Sequence, residues 1–128
     1  MITNANIKTF VQDILGCGCP EEVFQFIDCK HDVWLSSEIT LKSKIIIGDR
    51  LLIYVVEAGS DAFIQRNLAE LIAAGKSERD ARALNRMRLV IVAANALNQQ
   101  AAQSRFRKYQ GMDKKIHLHI INKEQSLW

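Results

Sequence analysis

The stretch Gly48-Asp49-Arg50-Leu51-Leu52-Ile53-Tyr54-Val55-Val56 decides how the rest of the chain is read. A short apolar run opened by a Gly-Asp turn signal is too brief for a helix and matches a strand buried on both faces. Just before it, Ile39, Leu41, Ser43, Ile45 and Ile47 fall on one face of a period-two pattern, with Thr40, Lys42, Lys44 and Ile46 on the other. That is the pattern of a half-exposed strand. The two strands form a β-hairpin over residues 39–57, with Gly48 placed first as a type II′ turn prefers.

Toward the C-terminus the period becomes helical. Ser60 caps a helix that carries Ile64, Leu68, Leu71 and Ile72 on one stripe, and Gly75 supplies a stop. Ser77-Glu78-Arg79-Asp80 resembles a capping box and opens another short helix running toward Arg86. Leu89–Ala94 is the next buried strand. Asn95 to about Tyr109 is helical with Ala102, Phe106 and Tyr109 inward, Gly111 ends it, and Ile116–Ile121 is the last strand. Residues 58–122 therefore form a βαβαβ part. The expected class is α/β, with a mixed, mostly parallel four-stranded sheet in which the antiparallel hairpin strand is joined to the β-α-β-α-β unit.

Toward the N-terminus, Ile7, Phe10, Val11, Ile14 and Leu15 have helical spacing and Gly16 ends the segment. Pro20 suits the first turn of a second short helix, with Glu21 and Glu22 at its positive end. Residues 1–30 thus read as a helical pair joined by a cysteine loop, and Trp34 falls in the loop that follows. With 128 residues, 48% hydrophobic and 24% charged, the whole chain, residues 1–128, is expected to be one domain.

Seventeen basic against fourteen acidic side chains leave a net charge of +3, well short of a dedicated polyanion binder. The longest apolar runs fall far below the roughly 20 residues that cross a bilayer, so no membrane partner is expected. The N-terminus lacks the basic start and apolar stretch of a secretory signal, which points to a reducing, cytoplasmic location. Three cysteines cannot complete an internal disulfide framework.

Those cysteines supply the leading candidate site. Cys17, Cys19, Cys29 and His31 are four potential ligands for zinc or another thiophilic metal, and Gly16 and Gly18 leave the Cys-x-Cys loop free to turn both sulfurs inward. The Cys-x-Cys spacing is tighter than paired zinc ligands usually show. The same atoms support a redox reading, in which Cys19 at a helix start is the attacking thiolate and Cys17 or Cys29 resolves it. A third reading makes Cys19 a small buried hydrophobe beside Val23 and Phe26.

Other constellations are weaker. Ligands of open α/β sheets collect beyond the carboxyl ends of parallel strands, which selects Glu57, Ser60, Asp61 and Asn95, although caps are favoured at such positions and no phosphate-loop pattern is present. His117 and His119 alternate with Ile116, Leu118 and Ile120 and so share one strand face, where they could hold a metal or titrate together. Arg105, Arg107 and Lys108, interleaved with Phe106 and Tyr109, form the basic cluster best suited to an anion or nucleic acid. Trp34 and Trp128 are large apolar groups in expected surface positions, as a homo-oligomer would use. Three functional classes are thus open: a metal or thiol domain, an anion- or nucleic-acid-binding module, and a structural subunit without catalysis. No motif names a reaction.

Overall fold

A computed structural model describes residues 2–16 and 21–128. The class is α/β, and the sheet has five strands: β1 (Ile27–Trp34), β2 (Thr40–Ile47), β3 (Leu51–Ala58), β4 (Arg86–Ala93) and β5 (Ile116–Asn122), in spatial order β1-β2-β3-β4-β5. The first three form an antiparallel meander, and β3, β4 and β5 run parallel. Helix α1 (Asn4–Thr9) continues into a π-helical turn over Phe10–Ile14, and a 3-10 segment spans Glu21–Gln25. Helix α2 (Asp61–Ala81) connects β3 to β4, and α3 (Gln99–Gln110) connects β4 to β5.

The fifth strand, β1, is the main departure from expectation. Residues 27–34 alternate Ile27, Cys29, His31 with Asp28, Lys30, Asp32, and they pair with β2 from Ile27 opposite Ile47 to Trp34 opposite Thr40. Cys29 and Trp34 therefore belong to a strand, not to a helix flank and a loop, and the second expected helix shrinks to the 3-10 segment. The hairpin turn also differs. Gly48 and Asp49 both have positive φ, 59° and 53°, as a type I′ turn requires, and Arg50 N–H closes it on the Ile47 carbonyl at 3.0 Å. A side chain at Gly48 would meet the Val23 backbone, with a Cβ only 2.7 Å from its carbonyl oxygen. The glycine thus serves both the turn and the docking of the 3-10 segment.

Helix α2 runs through Gly75 and Ser77 as one element. Gly75 abuts the buried Met87, whose Cε would lie 2.3 Å from an added Cβ, so the missing side chain brings the helix close to β4. The true stop comes at Ala83, in a left-handed conformation (φ 55°). Its N–H bonds the Asp80 carbonyl and Leu84 N–H bonds that of Arg79, as in a Schellman motif. Helix α3 starts later than expected, with Asn98 accepting from Ala101 N–H at its cap.

Two apolar layers cover the sheet. One joins Tyr54, Val56, Leu89 and Ile91 to Ile64, Leu68, Leu71 and Ile72 of α2 and to Ala102 and Phe106 of α3. The other joins Ile45, Ile53, Val55, Val90 and Val92 to Ile7, Phe10, Val11 and Leu15 at the N-terminus. The β1–β2 hairpin contributes to both. Ile27, Cys29, Ile45 and Ile47 pack in the second layer, whereas Val33, Ile39 and Leu41 pack in the first. Same-parity residues of a regular strand would share a face. The reversal falls at Asp32, whose φ is 52°.

Candidate functional site

The second layer holds the sequence-selected pair that the fold brings together. Cys29 and His31 are two residues apart on β1 and point to one face, where Cys29 Sγ and His31 Nε2 are 3.8 Å apart. His31 sits opposite Ser43 of β2, and its Nδ1 shares a 2.7 Å hydrogen bond with the Ser43 hydroxyl. Ser43 is completely buried. Its oxygen also accepts from Trp128 Nε1 at 2.5 Å, and the Trp128 ring stands edge-on to Phe10 with centroids 5.3 Å apart. The imidazole is thus oriented from behind by a hydroxyl that the end of the chain holds in place. Burial pushes the Cys29 thiol above its ordinary pKa, Ser43 opposes this by hydrogen bonding, and the Asp28 carboxylate adds to it.

Cys17 and Cys19 lie outside the described residues. Among the described residues, no group of three or more His, Cys, Asp and Glu side chains is placed to hold a metal ion. Cys29 and His31 are therefore two ligands of a set, not a set. Sequence reasoning missed Ser43 and Trp128. A small hydroxyl at a core-facing position of β2 was the available signal, because a buried hydroxyl needs partners.

The other expected residues have mainly local roles. Ser60 caps α2 by accepting from Phe63 N–H at 3.3 Å, Asp61 accepts from Asn98 N–H at 2.8 Å, and Asn95 donates to the Gly59 carbonyl at 3.0 Å. Glu57 lies 3.6 Å from Lys42 and 3.2 Å from Lys123. Among the described residues, Glu57 and Asp61 line different depressions, Glu57 a shallow one with Lys42 and Phe63 and Asp61 another with Asn98 and Arg105. Arg107 and Lys108 are exposed on α3, Arg105 is half-buried, and Arg107 donates to Ser104. Phe106 is committed to the core, whereas Tyr109, expected inward, is 40% exposed, so this cluster has no paired stacking platform. Trp34 is 71% exposed, whereas Trp128 is half-buried and packed against the second layer.

Among the described residues, no helix is long and apolar enough to cross a membrane. Comparison of the chain with known protein families, with curated proteins and with solved structures found no match.

Proposed function

We propose that the domain binds zinc or another thiophilic metal ion through Cys29 and His31 at the edge of the sheet, with Cys17 and Cys19 as the remaining ligands. The 3.8 Å separation of Cys29 Sγ and His31 Nε2 carries this reading. Metal–sulfur and metal–nitrogen bonds of about 2.3 and 2.0 Å, at a tetrahedral angle, place the two donor atoms about 3.5 Å apart. Support also comes from Ser43, which bonds the nitrogen of His31 that would face away from the metal, the arrangement that fixes a ligating imidazole. Thiol exchange at Cys29 has less behind it. Cys29 is in mid-strand next to Asp28, away from the helix N-terminus or neighbouring cation that activates a nucleophilic sulfur. Four protein ligands would close the coordination sphere, so the metal's role is structural, tying the N-terminal segment to β1 in a reducing cytoplasmic setting.

The test is cobalt(II) loading of tag-free protein, read by thiolate-to-cobalt charge-transfer absorption. Binding of about one ion per chain is expected, with affinity falling at least tenfold in Cys29→Ser and in His31→Ala. No charge-transfer band in the parent protein, or a band that Cys29→Ser leaves unchanged, overturns the reading.

A further inference from the structure

Arg86 and Arg88 of β4 and His117 and His119 of β5 occupy the same side of the sheet, with Arg88 directly opposite His117 and Val90 opposite His119. Arg88 Nη1 donates to His119 Nε2 at 2.9 Å and to the Leu15 carbonyl at 3.1 Å, and Arg86 Nη1 reaches His117 Nε2 at 3.4 Å. An arginine can only donate, so these contacts occupy the Nε2 lone pairs. Both imidazoles are neutral rings with their N–H on Nδ1, and the two histidines are poorly placed to share a metal through Nε2. With Nη1 held from two sides, Arg88 Nε is buried and has no hydrogen-bond partner among the described residues.

The cluster also lacks an opposite charge. Among the described residues, no ion pair includes Arg86 or Arg88. The charges acting on Arg88, His117 and His119 come from Arg86, Arg88 and His117, all basic. A half-buried guanidinium with no anion beside it is unusual unless a ligand completes it.

We propose that the Arg86–Arg88–His117–His119 cluster binds a phosphate dianion carried by a small phosphomonoester. Two guanidinium charges balance a dianion, whereas a carboxylate or a phosphodiester would leave one positive charge over. The Nη2 group of Arg88, the exposed guanidinium of Arg86 and neutral imidazole N–H groups are donors suited to phosphate oxygens. Toward the carboxyl end of β4 the basic track is short, which favours a small ligand. On this side of β4 the next residues are Val90 and Val92, buried in the apolar layer, and the basic residues of α3 belong to an element packed on the opposite side.

The experiment follows the His117 and His119 imidazole resonances by NMR during titration with inorganic phosphate, at constant ionic strength with chloride as control. Parallel arms use glycerol phosphate, a monoester, and oligothymidylate, a chain of diesters. Saturable shifts with phosphate and with the monoester are expected. Arg88→Lys keeps the charge but loses the planar guanidinium and its Nη2 donor, and should weaken binding roughly tenfold. The exposed Arg86→Gln provides a second variant if Arg88→Lys does not fold, and should also weaken it. The proposal is overturned by shifts no larger than those with chloride. A response to oligothymidylate without one to the monoester, or affinity unchanged in the folded variants, overturns it equally.

Discussion

The two sides of the sheet treat desolvated charges in opposite ways. On the α2 and α3 side the desolvated charges of Arg79 and Glu78 meet their complements, although the buried Asn67 Nδ2 of α2 has no hydrogen-bond partner among the described residues. Arg79, 7% exposed, forks onto Asp113 at 3.0 and 2.7 Å, so its guanidinium is held more firmly charged and the Asp113 carboxyl is pulled below its usual range. Glu78 accepts from Tyr54 and pairs with Lys44 at 2.9 Å and Arg82 at 3.0 Å. Burial works to raise its pKa, but these partners outweigh it and hold the carboxyl low, while burial and Glu78 drive the Tyr54 phenol upward. On the other side, Arg88 has neutral partners only, and Cys29 and His31 have each other and a hydroxyl. A matched network needs nothing more and reads as structure. An unmatched one retains unused binding capacity, and that is where both proposed sites lie.

Three measurements bear on this contrast. The largest effect is expected for Arg79→Leu, which strands Asp113 without its fork and should lower unfolding free energy by about 3 kcal/mol in urea titrations. A loss below about 1 kcal/mol would show that the paired side is no more interdependent than an ordinary surface. Acid titration of stability comes next. Burial, then Arg88 and His117, depress His119 to about 4. Its folded pKa lies below its unfolded one, so its contribution is full above about pH 6.5 and is lost as pH falls toward 4. About 2 kcal/mol of stability should disappear in that window, and His119→Asn should flatten it. The depressed Asp113 and Glu78 carboxyls act in the same direction but only at lower pH. A parent and variant with superimposable profiles between pH 6.5 and 4 would remove His119 from the cluster's electrostatics. The smallest effect is expected for Arg88→Met, which loses two hydrogen bonds but also removes a desolvated charge with no counterion. A change of about 1 kcal/mol or less should result. A loss as large as that of Arg79→Leu would erase the distinction between the two sides.

The fold was legible where apolar runs met turn chemistry. Leu51–Val56 and Leu89–Ala94 announced two strands because strands covered on both faces need continuous hydrophobicity, and Ile116–Ile121 announced a third by the alternation of an edge strand. β1 escaped because an edge strand buries little. Cys29 is only half-buried and His31 is exposed, and the alternation changes face at Asp32, so no apolar period marks it. α2 was divided at Gly75 because a glycine that makes room for Met87 looks the same in sequence as one that ends a helix. Its actual end, Ala83 in the left-handed region, carries no such signal.

The sites were legible in composition more than in geometry. Cys29 and His31 were selected as ligands, and their proximity follows from two-residue spacing once β1 is known to be a strand. His117 and His119 share a face, as their alternation predicts. Their attachment to Arg86 and Arg88 depends on the parallel register between β4 and β5, which is set across the whole of α3 and is invisible in any local window. Ser43 and Trp128 are joined across nearly the entire length of β2 to β5 by tertiary folding alone.

The change of face at Asp32 has a consequence for how the molecule comes apart. Because one hairpin supplies side chains to both apolar layers, neither layer can melt while the other keeps its full complement of contacts. Loosening the N-terminal cover draws on the same strands that seat α2 and α3. The chain should therefore lose its two layers in a single cooperative transition, with no stable half-molecule between.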